Sequence, residues 1–161
     1  MKKRYIVGLV AVLVIMASAF SYAQTAGEGM TLQDLVNEDT AYLGEANTLS
    51  PQAANEKILT VPDLMIIDVN EKFEYDKEHL KGAILIPRGL IEFKINRNDI
   101  FPDINKGKMP ADKNTPMLVY CRFGARCLFS AVRLKKMGYK NVYSIKGGLE
   151  AWKAERLPLE Q

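Results

Sequence analysis

Val119-Tyr-Cys-Arg-Phe-Gly-Ala-Arg-Cys127 is the stretch of sequence around which the rest of the chain is organised. An apolar run, residues 117–120, leads directly into Cys121, and a segment with apolar residues at helical spacing begins at Arg126 and stops before Gly138. The pattern therefore predicts a cysteine between the end of a strand and the start of a helix. Backbone N–H groups and the positive end of the helix dipole favour the thiolate there, and we expect the two arginines of the loop to add to the same field.

The loop from Cys121 to Arg126 is predicted to curl around its own sulfur atom. Gly124 and Ala125 are small, so backbone amides can approach a ligand and form an anion-binding nest. Such a nest suits a thiolate, a persulfide or an oxyanion. Four residues separate Cys121 from Arg126. The loop of a cysteine phosphatase is longer, so the smaller ring fits one extra sulfur atom better than a tetrahedral phosphate.

The segments before and after this loop alternate between strand and helix patterns. Ser50 and Pro51 have the residue types of an N-cap and a first helical position. Leu64–Val69 is a continuous apolar run typical of a strand buried on both faces, and shorter strands are predicted at Ile84–Pro87 and Asn141–Ile145. Strands that alternate with helices predict an α/β fold with a mainly parallel sheet.

The first 23 residues have the pattern of an export signal. Residues 2–4 are basic, residues 5–20 are apolar, and small residues follow before the expected cleavage point. We therefore divide the chain into a signal peptide (1–23), an N-terminal extension with a short helix (24–49) and a main domain (50–161). The expected location is periplasmic or secreted. An uncleaved membrane anchor is the alternative, because the apolar run is only slightly shorter than a minimal spanning helix.

The charge balance argues against a nucleic-acid partner. The whole chain has 22 basic and 19 acidic residues, a formal net charge of +3. Removing the three basic residues of the signal from the 22 leaves 19 basic against 19 acidic residues, and no basic stripe with interleaved aromatic residues remains. The sequence contains neither a metal-ligand spacing nor a dinucleotide fingerprint, so no cofactor is expected.

Three polar residues near the predicted site have two interpretations each. His79 is either a general base for the cysteine or a structural residue hydrogen-bonded to backbone at a helix end, and an activated thiolate needs no such base. Arg88 follows a strand and either faces the site or is solvated. Cys127 and Cys121 would be allowed to form a disulfide after export, but a strand end and a helix start often point two such side chains apart.

Four segments in series resemble the rhodanese, or thiosulfate sulfurtransferase, family. The sequence Cys-Arg-Phe-Gly-Ala-Arg at 121–126 resembles that family's active-site loop. Residues 64–69 and 79–87 resemble its first strand and the following His-x-x-Gly-Ala segment, and residues 139–152 are similar to its C-terminal signature. Together the segments cover about residues 50–158, in the same order as in the family.

The resemblance implies a three-layer α/β fold, with a central, mainly parallel sheet and helices on both faces. It implies a thiosulfate sulfurtransferase-type enzyme in which Cys121 becomes a persulfide and passes the sulfur to a thiophilic acceptor, either a small molecule or a protein thiol. The donor would be a small sulfur anion, and no metal or other cofactor is implied. The substrate-binding residues would be Arg122, Phe123, Gly124, Ala125 and Arg126. A single domain without a heptad seam is expected to be a monomer with no membrane contact after signal cleavage.

Two residues depart from the family pattern. Asn70 stands where many relatives carry arginine, so an ion pair behind the site is expected to be missing. Cys127 stands where serine is common, and is either an inert helix-start thiol or a resolving thiol that attacks the Cys121 persulfide, releases sulfide and leaves a disulfide. The alternative functions are a non-catalytic sulfur-carrier or binding module, a thiol–disulfide role through these two cysteines, and an oxyanion enzyme such as a phosphatase or arsenate reductase.

Overall fold

The computed structural model of the chain describes residues 29–97 and 112–160. By its internal contacts the chain divides into two units, residues 1–35 and 36–161. Of the first unit, only residues 29–35 are described, and the first helix begins within them at Leu32. The predicted signal peptide lies outside the described residues. Within the described part of the chain, no helix is long and apolar enough to cross a membrane.

The described residues contain five parallel strands and six α-helices, and the predicted α/β class is confirmed. The strands are β1 (Thr48–Leu49), β2 (Met65–Asp68), β3 (Ile84–Leu85), β4 (Met117–Tyr120) and β5 (Val142–Ile145). The helices are α1 (Leu32–Leu43), α2 (Pro51–Thr60), α3 (Lys72–Tyr75), α4 (Ile91–Lys94), α5 (Ala125–Lys136) and α6 (Gly148–Ala154). Short 3-10 turns occupy Glu45–Asn47 and Arg88–Leu90.

The sheet has the strand order β1-β5-β4-β2-β3, which places β4 at its centre. Tyr120 at the end of β4 is in register with Asp68 at the end of β2, and Val119 is in register with Ser144 of β5. The carboxyl ends of these parallel strands therefore meet at one edge, where Cys121 follows β4 directly.

Two apolar cores cover the two faces of the sheet, because successive side chains of each strand point to opposite faces. In β4, Met117 and Val119 pack into the core formed with α1, α4 and α5. Leu118 and Tyr120 pack into the other core, together with residues of α2 and α6 such as Trp152. All four β4 residues are fully buried, which explains why this strand has a continuous apolar sequence.

Side chains cap the starts of two helices. The Ser50 hydroxyl accepts a hydrogen bond from the amide of Ala53 (3.2 Å), as expected for an N-cap in front of Pro51. At the start of α1, Asp34 accepts from the amide of Thr31 (2.9 Å), and the amide of Asp34 donates back to the Thr31 hydroxyl (3.2 Å). The sequence did not reveal β1, whose two residues lie in the predicted N-terminal extension and pair with β5.

Candidate active site

The Cys121 sulfur lies at the centre of a loop whose amides point at it. The Sγ atom accepts N–H bonds from Gly124 (3.1 Å) and from Cys127 (3.3 Å), and Cys121 is 1% exposed. Gly124 has φ +99°, a conformation that glycine adopts without strain. A Cβ at this position would also lie 2.9 Å from the backbone nitrogen of Gly147, so the turn needs glycine for space as well.

The start of α6 holds the loop from outside. The amide of Leu149 donates to the carbonyl of Cys121 (2.8 Å), and the amide of Glu150 donates to the carbonyl of Arg122 (3.0 Å). These bonds satisfy two amides of the helix start that have no partner within the helix. They also fix the loop carbonyls away from the sulfur. Gly148 permits this close approach, because a Cβ there would be 2.8 Å from the Arg122 carbonyl carbon and oxygen.

Asn70 holds the loop from behind. It is fully buried after β2, and its Oδ1 atom accepts the amide hydrogen of Arg122 (2.7 Å). The amide of Asn70 in turn donates to Oδ1 of Asp68 (2.8 Å). Asp68 is also fully buried, and this burial raises the pKa of its carboxyl group. In place of the arginine common in the family, the chain thus has an uncharged residue that fixes the first peptide of the loop, a role that the sequence did not reveal.

Both loop arginines are paired with carboxylates. Arg126 makes a bidentate ion pair with Glu74 of α3, with distances of 2.7 Å (Nη1–Oε2) and 2.8 Å (Nη2–Oε1). Nε of Arg122 donates to Oε1 of Glu150 (3.0 Å), and its guanidinium lies 5.0 Å from the ring centroid of Phe123. Phe123 is 66% exposed, so the rim of the loop presents an aromatic ring and a guanidinium.

The pKa values of the two thiols are shifted in opposite directions. The hydrogen bond from the Cys127 thiol is the largest influence on Cys121 and, together with the amides of Cys127, Gly124 and Phe123, lowers the pKa of Cys121 to about 6 against the opposing effect of burial. Burial, and then the neighbouring Cys121, raise the pKa of Cys127 well above its usual value. The arginines are not among the main causes for Cys121, and each has its own carboxylate partner. The Glu74 carboxylate, and to a lesser extent the Cys121 thiolate, raise the pKa of Arg126, so the Arg126 charge and the thiolate do attract each other.

The alkylation rate of Cys121 is expected to follow this low pKa. Only the thiolate reacts, so the rate should rise with pH through about 6 and be constant above pH 7, whereas an unfolded thiol titrates at about 8.5. Rates of iodoacetamide labelling across the pH range, with the labelled residue identified by peptide mass, measure this. The same chain in denaturant is the control. If the alkylation rate gave the same pKa for the folded and the unfolded protein, the expectation would be contradicted.

The structure brings the predicted loop residues together and separates the other candidates from them. Cys121, Gly124 and Ala125 lie in the curl of the loop, with Ala125 as the first residue of α5. The Nδ1 atom of His79 lies 3.0 Å from the carbonyl of Tyr75, and the two rings stack, which fits the structural interpretation. Arg88 is paired with Glu92 (3.2 Å). No cluster of metal-ligand side chains occurs among residues 29–97 and 112–160.

Comparison with known proteins gives sulfur-transfer relatives. The sequence profile of the rhodanese-like domain matches residues 50–155. The thiosulfate sulfurtransferase GlpE of Coxiella burnetii is 33% identical over 92 residues, 57% of this chain and 74% of that protein. The putative sulfur carrier protein YrkF of Bacillus subtilis is 26% identical over 84% of this chain and 69% of that protein. The probable adenylyltransferase/sulfurtransferase MoeZ of Mycobacterium tuberculosis is 28% identical over 77% of this chain, but the match spans only 29% of that protein.

Solved structures share the fold. The human single-domain sulfurtransferase TSTD1 superimposes with a TM-score of 0.61 at 18% identity, covering 68% of this chain and 96% of that chain. A Rhodopseudomonas palustris protein described as a possible tyrosine phosphatase gives a TM-score of 0.65 at 23% identity, covering 83% of this chain and all of that one. At these identities the likeness concerns the fold alone. The sequence match over residues 50–155 and the sulfur-transfer relatives show that the chain belongs to the rhodanese-like sulfurtransferase family.

Proposed function

We propose that this protein is an exported sulfurtransferase that moves a sulfane sulfur from thiosulfate or a similar anion to a thiol acceptor through a persulfide on Cys121. The observation that carries the proposal is the amide-lined Cys121 sulfur, with its lowered pKa of about 6. At the near-neutral pH of a periplasm or extracellular medium this sulfur is a thiolate, which is the nucleophilic form. The export pattern of residues 1–23 supports the periplasmic or secreted location.

In the first half of the reaction, the Cys121 thiolate attacks the outer sulfur of thiosulfate. A bond forms between Sγ and that sulfur, the sulfur–sulfur bond of thiosulfate breaks, and its electron pair leaves with sulfite. The Cys121 persulfide anion then carries the negative charge on its outer sulfur, within reach of the loop amides. A short loop favours this product, because it needs to hold one additional atom.

We assign to Arg122 the binding of the sulfonate end of the donor. The Arg122 side chain is exposed at the rim, where Nε donates to Glu150, and we assign the hydrogen bonds to the anion to its two Nη groups. Both Nη groups of Arg126 bind Glu74. Arg126 therefore stabilises the loop by holding α3 against the start of α5, and contacts the donor only if Glu74 releases it.

In the second half, an acceptor thiolate attacks the outer sulfur of the Cys121 persulfide. A new sulfur–sulfur bond forms on the acceptor, the bond to Sγ breaks, and Cys121 leaves as the thiolate from which the cycle began. The acceptor thiol becomes a persulfide, thiosulfate becomes sulfite, and the full cycle needs no external oxidant or reductant. Either a small thiol or the cysteine of a protein meets the chemical requirement.

Intact-protein mass spectrometry of the chain without residues 1–23 tests the proposal. After both cysteines are reduced and the reductant is removed, thiosulfate or polysulfide should add the mass of one sulfur atom, and a small thiol should remove it again. Catalytic turnover of thiosulfate with that thiol should follow. No sulfur adduct with any donor would contradict the proposal, and loading without repeated turnover would favour the sulfur-carrier alternative.

A further inference from the structure

A row of alternating charges runs from the rim of the Cys121 loop across α6. Nε of Arg122 and Nζ of Lys153 both donate to the same oxygen of Glu150, Oε1, and each distance is 3.0 Å. Nζ of Lys153 also donates to Oε1 of Glu78 at 2.6 Å. Arg122 therefore shares its carboxylate partner with a second cation, which is itself held by a second carboxylate.

The two loop arginines are paired with their carboxylates in different ways. Arg126 makes two parallel bonds to Glu74 through both Nη groups. Arg122 instead meets Glu150 through Nε. An arginine that binds a carboxylate with both Nη groups has those donors occupied, whereas one held through Nε can still present them to an anion. The way in which Glu150 is held therefore decides whether Arg122 can bind the donor.

Lys153 is the stronger of these two partners of Glu150. It lies one turn after Glu150 on α6, so the two side chains are neighbours on the helix surface. The hydrogen bond from Lys153 lowers the pKa of Glu150 more than the bond from Arg122 does. Glu78, from the segment after α3, holds the ammonium group of Lys153 in turn. Glu150 is thus held on its own helix and shares the oxygen that faces Arg122.

The charges of this row also set the potential that an incoming anion meets. Arg122 and Lys153 contribute two positive charges, and Glu150 and Glu78 contribute two negative charges, so the row is neutral overall. Without the lysine, one positive charge would stand beside two negative charges at the rim of a site that must admit an anion. Such a change affects the association of a charged ligand more than that of a neutral one.

We propose that Lys153 is a positioning residue for the anionic sulfur donor: it holds Glu150 and thereby keeps the guanidinium of Arg122 available to bind the charged end of the donor. Lys153 acts through these two residues and does not itself contact the donor. The inference rests on the proposed function for the identity of that donor. It makes the selection of anions a property of α6 as well as of the Cys121 loop, because Glu150 and Lys153 both lie on that helix.

Alkylation with a charged and an uncharged reagent tests the inference without any sulfur transfer. Iodoacetate and iodoacetamide attach to the Cys121 thiolate by the same reaction, but only iodoacetate carries a negative charge. The ratio of their rates, with the labelled cysteine identified by peptide mass, therefore measures the attraction of an anion to the loop. We expect Lys153→Met to lower this ratio by about twofold to fivefold, the factor that corresponds to a partly exposed ion pair. Lys153→Arg keeps a cation and should restore the ratio.

Lys140→Met is the matched control, because it removes an exposed lysine that precedes β5, at the edge of the sheet opposite to Cys121. It should leave the ratio unchanged. A double-mutant cycle then shows whether Lys153 acts through Arg122. In an Arg122→Gln background the ratio should already be low, and Lys153→Met should lower it no further. Thermal unfolding of each variant confirms that it is folded.

Thiosulfate loading applies the same test to the proposed substrate. The thiosulfate concentration that gives half of the maximal loading rate should rise by the same factor in Lys153→Met, while the maximal rate should change little. A merely structural defect would instead lower the maximal rate. If the alkylation ratios shift as expected but the unsubstituted protein takes up no sulfur, the proposed function is contradicted and the role of Lys153 in anion binding is supported.

Three results would overturn the inference. One is a ratio of alkylation rates that is the same in Lys153→Met as in the unsubstituted protein. Another is an equal fall of the ratio in Lys140→Met, which would show an effect of total charge alone. The third is a full further fall when Lys153→Met is added to Arg122→Gln, which would mean that the lysine attracts the anion directly.

Discussion

Cys121→Ser is expected to give a folded protein that takes up no sulfur. Serine cannot form a persulfide, and its hydroxyl is not ionised at the pH where the thiolate is. Loss of a covalent nucleophile commonly costs a factor on the order of 10³ or more in rate, so transfer should fall to the background reaction. The serine oxygen can still accept hydrogen bonds from the amides of Gly124 and Cys127, although it is smaller than sulfur. The loop should therefore remain folded.

Cys127→Ser is the matched control for this experiment, because it makes the same atomic change six residues further along the chain. It should load sulfur to the same extent as the unsubstituted protein. Intact mass after exposure to thiosulfate, followed by peptide mapping, gives both results in one measurement. If Cys121→Ser loads and Cys127→Ser does not, the assignment of the nucleophile is wrong.

Gly148→Ala is expected to destabilise the protein strongly and to open the loop around Cys121. The residue has φ +61°, and a Cβ would overlap the Cys121 carbonyl and lie 2.8 Å from the Arg122 carbonyl atoms. Backbone strain and overpacking together cost about 2 to 5 kcal/mol of unfolding free energy. Such a loss is a large part of the about 5 to 15 kcal/mol that a domain possesses. Urea unfolding measures the loss, and alkylation of Cys121 should show a pKa closer to that of an ordinary thiol.

Gly82→Ala separates the strain from the contact. Gly82 also has a positive φ (+72°), but no atom lies within 4 Å of where its Cβ would be. Its substitution should cost only the left-handed strain, about 1 to 2 kcal/mol, and should leave the Cys121 alkylation profile unchanged. Equal losses at the two glycines would show that contact of α6 with the loop carbonyls contributes nothing beyond backbone strain.

Much of the framework could be predicted because its determinants are local. Two continuous apolar runs, residues 64–69 and the run before Cys121, predicted buried strands. Both are buried because helices cover both faces of the sheet. The Ser50 cap also depends on neighbours within four positions. The short gap between Cys121 and Arg126 likewise indicated a tight curl from spacing alone.

The electrostatics of the site could not be predicted because its partners are distant in sequence. Glu74 and Arg126 are 52 positions apart, and Arg122 and Glu150 are 28 positions apart. Nothing in either local pattern indicates that each arginine has a carboxylate partner. Asn70 reaches the Arg122 amide across the same span of 52 positions. A periodicity argument detects which face of an element is buried, but not which polar group of another element meets it.

The contact of α6 with the loop makes activation of the thiol depend on the order of synthesis. The amides of Leu149 and Glu150 hold the carbonyls of Cys121 and Arg122, and they follow Cys121 by almost thirty positions in the chain. Until α6 has left the ribosome and docked, the loop has no template for its curl, and its cysteine is chemically an ordinary thiol. A growing or unfolded chain would therefore be protected from premature sulfur chemistry, because its loop is not yet formed.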